Sequence, residues 1–454
     1  MQSPTRTLAT FLAELTYERL PPEVVTRAKV VLLDTLGAAL AGSQTPEGSI
    51  AIRLAHKLSG KQEATLLATD VKVDCLYAAL FNGLMAHVLE LDDGNRYAMG
   101  HPGVSVVPTV LALGEQTHIS GRDAIVATVA GYEAMGRVAA AGNPSHYHRG
   151  FHTTGTCGTF AAAAAAGKIL NLNPAETAQV FGIAGSQSAG LFAFMANGAM
   201  TKVLHPGRAA QSGILSAYLV REGFTGPETV LEDPRGFYAA YADGYTPGRI
   251  VDRLGEVYEI MHTYTKYHAA CRHTHAAIDA ALEIAGNHPV AVADIAAITV
   301  HTYQVAAKLT GGKEITSPLS GKMSLPYSVA VALTDGQAGL QQYSAEKLSD
   351  PAVRNLMDKI EVAMDARLDS LVPAHRGARV EMVLASGQRH AAEVIDALGE
   401  PENPGSQADQ LKKFRALAGV VFAEERMEQI IATVQNLEAM ADINSLAALL
   451  RQGP

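Results

Sequence analysis

The chain of 454 residues is 48% hydrophobic and 18% charged, which describes a well-buried globular protein, excludes a disordered one, and at this length points to two domains. A net charge of −9 without a basic tract argues against a nucleic-acid partner, and the start Met-Gln-Ser-Pro-Thr-Arg carries no apolar signal core. With no apolar stretch of roughly 20 residues to span a bilayer, and with Cys75, Cys157 and Cys271 odd in number and far apart, a soluble cytoplasmic protein in a reducing compartment is expected, with no membrane contact.

From Pro21-Pro22-Glu23 a helix begins with proline in its first turn, and Val24, Ala28, Val31, Leu32, Leu36 and Ala39 recur at helical spacing to Gly42. Further helices are predicted over about 47–58, 74–93, 104–115, 121–141, 156–170, 174–186 and 208–222, with almost no strand signal. The 74–93 helix, N-capped by Asp74 and broken by Gly94, puts His87, Glu90 and Asp93 on one face and turns Asp92 elsewhere. Carboxylates at a helix C-terminus oppose the macrodipole, so local stability does not explain Glu90, Asp92 and Asp93. Phe160 followed by six alanines makes a helix with little bulk on any face, which belongs inside an all-α bundle.

The texture changes near His262. After a helix from Thr274 to about Ala285, strands are predicted over Ile295 to Thr302 and Lys359 to Met364, and a hairpin over Arg379 to Leu384 and Ala391 to Val394. Ser324 to Leu333 reads as helical. Glu400-Pro401-Glu402-Asn403-Pro404-Gly405 punctuates the end of this α+β stretch, and the helical tail beyond it must rejoin the first bundle to bury its apolar face. The expected architecture is therefore mostly α: a helical domain from 1–265, a smaller α+β domain from 266–400 inserted as a lid, and C-terminal helices from 401–454 that complete the helical domain.

Five stretches mix His, Gly, Thr and charge. The first runs from His87 to Gly103, where proline after His101 forces that histidine out of helical backbone. In the second, 146–155, His152 lies against the start of the alanine helix, a natural anion site. The third, 197–208, is a glycine-flanked loop whose Lys202 is read as a carboxylate clamp, the loop entering its helix at Arg208. The fourth gathers Lys266, Cys271, Arg272 and His275 into an electropositive patch whose spacing matches no zinc pattern. In the fifth, Tyr327 follows Ser324 at a helix start, where a buried tyrosine with a partnered hydroxyl is the ordinary outcome.

Taken together, Leu33-Asp34-Thr35-Leu36-Gly37, His87-x-x-Glu90-x-Asp92-Asp93, His101-Pro102, Gly150-x-His152-x-Thr154, Gly198-x-Met200-x-Lys202-x-x-His205 and Ser324-x-x-Tyr327 resemble the MmgE/PrpD family over nearly the whole chain. That family includes 2-methylcitrate dehydratases, cis-aconitate decarboxylases and iminodisuccinate epimerases. The resemblance implies a homodimer with a cofactor-free site in a cleft, catalytic roles for His101, His152, Lys202 and Tyr327, and substrate contacts from Glu90, Asp92, Asp93, Lys266, Cys271 and His275; Arg272 joins the substrate contacts through its charge in the electropositive patch, and with no convincing ligand set no metal is expected. Gly94 and Cys271 stand where some decarboxylases of the family have a hydroxyl residue and a histidine.

This inventory suits one kind of chemistry. A small di- or tricarboxylate has its charges neutralised by Lys202, Arg272 and His275, a C–H bond next to a carboxylate becomes acidic, and His101 and His152 move the proton. Dehydration, decarboxylation and epimerisation then differ in the fate of the carbanion. The leading expectation is a carbon–oxygen lyase dehydrating a 2-methylcitrate-like hydroxy acid, with cis-aconitate decarboxylation or iminodisuccinate epimerisation as alternatives. A more remote reading, a magnesium-dependent helical synthase using Glu90, Asp92 and Asp93, lacks the second acidic cluster that a diphosphate site needs.

Overall fold

A computed structural model describes residues 3–196 and 198–452, so Asn197, at the head of the lysine-bearing stretch, lies outside the described residues. The chain divides into two units. The first takes the chain up to Val88, Asp92–Thr263 and everything from Ser406 onward; the second takes Leu89–Leu91 and Tyr264–Gly405.

The first unit is a helical bundle built around Thr153–Ile169, whose residues from Thr153 to Gly167 are all buried. Helices Gly103–Thr117, Gly121–Gly142, Pro174–Gln187 and Thr201–Arg221 all pack on this slim rod. Alanine and glycine make such close approach possible: a Cβ added at Gly213 would stand 2.4 Å from the Ala162 Cβ. The C-terminal helix Gln407–Ala418 returns to this unit against Pro22–Gly42, where Phe414 and Leu417 pack beside Gly37 and Lys413 Nζ meets Asp34 Oδ1 at 2.5 Å.

The second unit holds a four-stranded sheet in the order Ile360–Met364, Ile295–Thr302, Ala378–Leu384, Arg389–Val394. The first pair is parallel and the other two are antiparallel. Helices His275–Asn287, which buries an alanine-rich face, and Leu325–Asp335 pack against each other in the same unit.

Two element boundaries differ from expectation by six residues or more. The helix predicted to reach Asp93 is Cys75–His87, and Glu90 rather than Gly94 makes the break, with φ at +58°. The lysine-bearing stretch is not a loop up to Arg208: the helix starts at Thr201, so Lys202 and His205 sit in its opening turns despite Pro206.

Candidate active site

Backbone contact between two glycines positions much of the site in the first unit. A Cβ at Gly83 would stand 2.8 Å from the Gly207 Cα, and one at Gly207 would stand 2.0 Å from the Leu80 carbonyl oxygen, so Cys75–His87 and Thr201–Arg221 cross almost in backbone contact. His87 lies one turn beyond Gly83 and His205 just before Gly207, which brings both near this crossing. Gly155 serves the third helix in the same way, since a Cβ there would meet the Ala189 carbonyl at 2.4 Å and the His205 Cβ at 3.0 Å. His152, the extended residue capping Thr153–Ile169, is fixed by its N–H, which donates to the Gly190 carbonyl at 3.0 Å, and by the rings of Phe192 and Phe194.

Asp92 is the centre of the cluster. Its Oδ2 accepts from His87 Nδ1 at 2.9 Å and lies 3.1 Å from His101 Nδ1, which also donates to the Asp93 carbonyl at 2.5 Å. Burial would raise the Asp92 carboxyl, but His87 and His101 hold it well below the usual carboxylate range. An ionised Asp92 fixes a proton on Nδ1 of both rings, so Nε2 is the lone-pair atom of the neutral His87 ring and the nitrogen through which His101 exchanges a proton. The His101 backbone N–H donates to Thr154 Oγ1 at 3.2 Å, so the site loop is tied to the start of the alanine helix.

The neighbouring histidines are held neutral. His152 Nδ1 and His205 Nδ1 lie 2.8 Å apart, and the His87 ring stacks 5.8 Å from that of His152. Burial lowers His87, places His152 well below its ordinary range and takes His205 to about 4, and the charge of Lys202 adds to the effect on all three. Asp93 is spent differently from Asp92. It accepts the Tyr132 hydroxyl and, through Oδ1, the Gly103 N–H at 3.0 Å, while burial pushes its carboxyl up to about 6.

The structure thus brings His101, His152, Lys202, Asp92 and Asp93 together in the first unit, but Asp92, expected to point away from His87, is the residue bonded to it. His87, His205 and Tyr132 complete the group. His87 and His205 stood in the sequence motifs without an assigned role; Tyr132, in the middle of an apolar helix, carried no local signal. Asp92 and Asp93 are both engaged by protein groups. Among the described residues no group of three or more His, Cys, Asp or Glu side chains is arranged to hold a metal.

The remaining expected residues belong to the second unit. Lys266 Nζ donates to the Glu90 carbonyl at 3.1 Å and lies 3.6 Å from its Oε2. Arg272 pairs with Glu400 at 3.0 Å, donates to His275 Nδ1 at 3.0 Å and covers the Tyr264 ring. Burial and the Arg272 charge drive His275 well below its ordinary range, so the positive charge expected of it is not available. The Cys271 N–H donates to the Lys322 carbonyl at 2.9 Å. Tyr327 is wholly buried, its hydroxyl donating to the Gln342 carbonyl at 2.7 Å.

Comparison with known proteins places the chain among relatives along its length. The MmgE/PrpD N-terminal domain matches residues 6–249 and the MmgE/PrpD C-terminal domain residues 268–439. The chain is 30% identical to a cis-aconitate decarboxylase-like protein, oryM, of Aspergillus oryzae, covering 98% of this chain and 97% of the relative. It is 29% identical to a cis-aconitate decarboxylase of Aspergillus terreus, over 98% and 95% of the two chains. Identity is also 29% to the cis-aconitate decarboxylase of Homo sapiens, over 100% and 95%.

Proposed function

The chain belongs to the MmgE/PrpD family, and on that premise we propose that it is a cofactor-independent lyase that decarboxylates cis-aconitate or a tricarboxylate of the same shape. One observation carries the reading: Asp92 Oδ2 lies 3.1 Å from His101 Nδ1, next to a cluster of histidines held neutral by burial. With Nδ1 held by the Asp92 carboxylate, Nε2 is the His101 atom that takes up a proton and hands it to substrate. With its side chain 16% exposed, His101 is open where His87 is sealed.

The chemistry asks for such a donor. Loss of the carboxylate on the saturated carbon of cis-aconitate breaks one C–C bond and releases carbon dioxide. The electron pair left behind is allylic to the double bond and conjugated with the carboxylate at its far end. A proton from His101 Nε2 delivered to that far carbon completes the reaction, giving a dicarboxylate with a terminal double bond. Lys202, at the start of the helix that also carries His205, supplies a positive charge for a carboxylate that is retained. His152, beside the N-terminus of the alanine helix, offers a neutral hydrogen-bonding ring to the same substrate.

Dehydration of a 2-methylcitrate-like acid, placed first from the sequence, would use the same histidine as a base, but the curated relatives favour the decarboxylase alternative. The roles that the family resemblance gives to Glu90, Lys266, Cys271, His275 and Tyr327 rest on that resemblance, that of Arg272 rests on its charge, and none takes part in this step. A cytoplasmic homodimer belongs to the same proposal; three free cysteines fit a reducing compartment, and no described helix is long and apolar enough to cross a membrane.

The test is to incubate the purified protein with cis-aconitate in deuterated water and follow carbon dioxide and product by NMR, with 2-methylcitrate and iminodisuccinate in parallel. One carbon dioxide and one carbon-bound deuterium per cis-aconitate consumed are expected. Loss of water from 2-methylcitrate with no turnover of cis-aconitate would overturn the assignment.

A further inference from the structure

We propose that His87 is a positioning residue for His101, acting through the carboxylate that the two share; this rests on the reading that His101 moves the proton. Asp92 is wholly buried, where an ionised carboxylate needs donors to offset its lost hydration. Its Oδ2 faces the Nδ1 atoms of His87 and His101, at 2.9 and 3.1 Å, whereas its Oδ1 has no hydrogen-bond partner among the described residues. His87 is therefore half of what orients this carboxylate. Its own placement is rigid: it is the last residue of the Cys75–His87 helix, one turn past the glycine crossing, with its ring 5.1 Å from that of His101.

The other ring nitrogen shows that the role is indirect. His87 Nε2 has no partner among the described residues, and the side chain is 0% exposed, so a substrate reaches neither nitrogen. What His87 contributes is the Nδ1–H. By taking a share of the Asp92 charge it keeps that carboxylate ionised and in register, and it limits how strongly Asp92 can stabilise a proton on His101. Without it, Asp92 turns wholly to His101, whose imidazolium is then held more tightly.

The two amide side chains separate the nitrogens of His87. Asparagine places an N–H near the position of Nδ1, glutamine near that of Nε2. In His87→Asn the kcat should stay within about threefold of wild type, and His101, followed by NMR of the ring protons, should titrate as in wild type. In His87→Gln and His87→Leu, kcat should fall at least tenfold with KM little changed, the range expected when a proton-transfer group loses its orientation, and His101 should titrate about half a pH unit or more higher. Thermal unfolding shows which variants remain folded; if His87→Leu does not, the asparagine and glutamine variants still decide. Activity kept by glutamine and lost with asparagine, or an unmoved His101 titration in the folded glutamine variant, would overturn the proposal. The NMR titration needs no substrate, so a shifted His101 in a protein that leaves cis-aconitate untouched would sink the decarboxylase reading and leave the positioning role standing.

Discussion

The Nδ1 atoms of His152 and His205 face each other at 2.8 Å, so a single proton must lie between them. Were both nitrogens protonated, two N–H groups would collide, and with neither protonated two lone pairs would repel. The contact fixes complementary tautomers and, together with burial, keeps both rings neutral, His205 at about 4.

His205→Phe should expose this dependence. Phenylalanine keeps the ring contact with Phe194 but removes the nitrogen. His152 then loses its tautomer partner, and turnover of cis-aconitate should fall by about tenfold or more. Nitrogen NMR of His152 should show a mixture of tautomers. An unchanged tautomer and an unchanged rate would mean that His205 only fills space.

Lys202 should show two effects together. Its charge is one of the causes that lower His87, His152 and His205, so Lys202→Met should let all three titrate at higher pH. If it also holds a substrate carboxylate, KM should rise at least tenfold, consistent with the 2–5 kcal/mol commonly lost with a charged partner. Lys202→Arg should keep the histidine titrations and recover part of the binding. Wild-type kinetics in the methionine variant would remove the lysine from the site.

Much of this arrangement is visible in the sequence because it is local. His101 before Pro102, His152 at the head of an alanine helix and the strand periods of the second unit all depend on near neighbours. The helix end after His87 does not. Lys322 Nζ donates to the Leu89 carbonyl at 2.8 Å and Lys266 Nζ to that of Glu90, so the carbonyls of the break are satisfied by lysines far along the chain. A helix continued to Gly94, as the local pattern alone suggests, would turn Asp92 away from His87, whereas the observed end at His87 brings the two together. The helix start at Thr201 was hidden for a similar reason: Pro206 and Gly207 look like breakers, yet Gly207 is required by the crossing with Gly83. Tyr132 and Asp93 lie far apart in sequence, and only folding joins them.

Mild acid should unfold the protein. His146 and His273 are lowered by burial to about 4 and about 3, and His87, His152, His205 and His275 are also lowered. Between about pH 6.5 and pH 4 the unfolded chain binds protons at these sites and the folded chain does not, so stability is lost as pH falls through that window. His146 and His273 alone imply a loss of up to about 3 kcal/mol per pH unit. Urea midpoints measured from pH 7.5 to 4.5 should decline steeply below 6.5. A flat profile would show that these rings accept protons in the folded state.

Asp93 contributes with the opposite sign. Its carboxyl is raised to about 6 by burial, so from about pH 4 to pH 6 the folded chain holds a proton that the unfolded chain has released. Stability from this group falls as pH rises through that window, and the penalty is complete above it, on the order of 1–3 kcal/mol. Asp93→Asn should remove it. The amide oxygen can accept the Gly103 N–H, and the amide nitrogen can donate to the Tyr132 oxygen in place of the present acceptance. The Tyr132 hydrogen can then turn to Thr35 Oγ1, which has no partner among the described residues and, like the Tyr132 oxygen, lies within 3 Å of where a Gly103 Cβ would stand. The variant should be more stable than wild type at pH 7.5 and equal to it near pH 4. Because His101 Nδ1 is held by the Asp93 carbonyl rather than its carboxylate, turnover should remain within about tenfold of wild type. A stable Asp93→Asn protein with a larger loss of turnover would show that the carboxylate charge itself acts on the substrate.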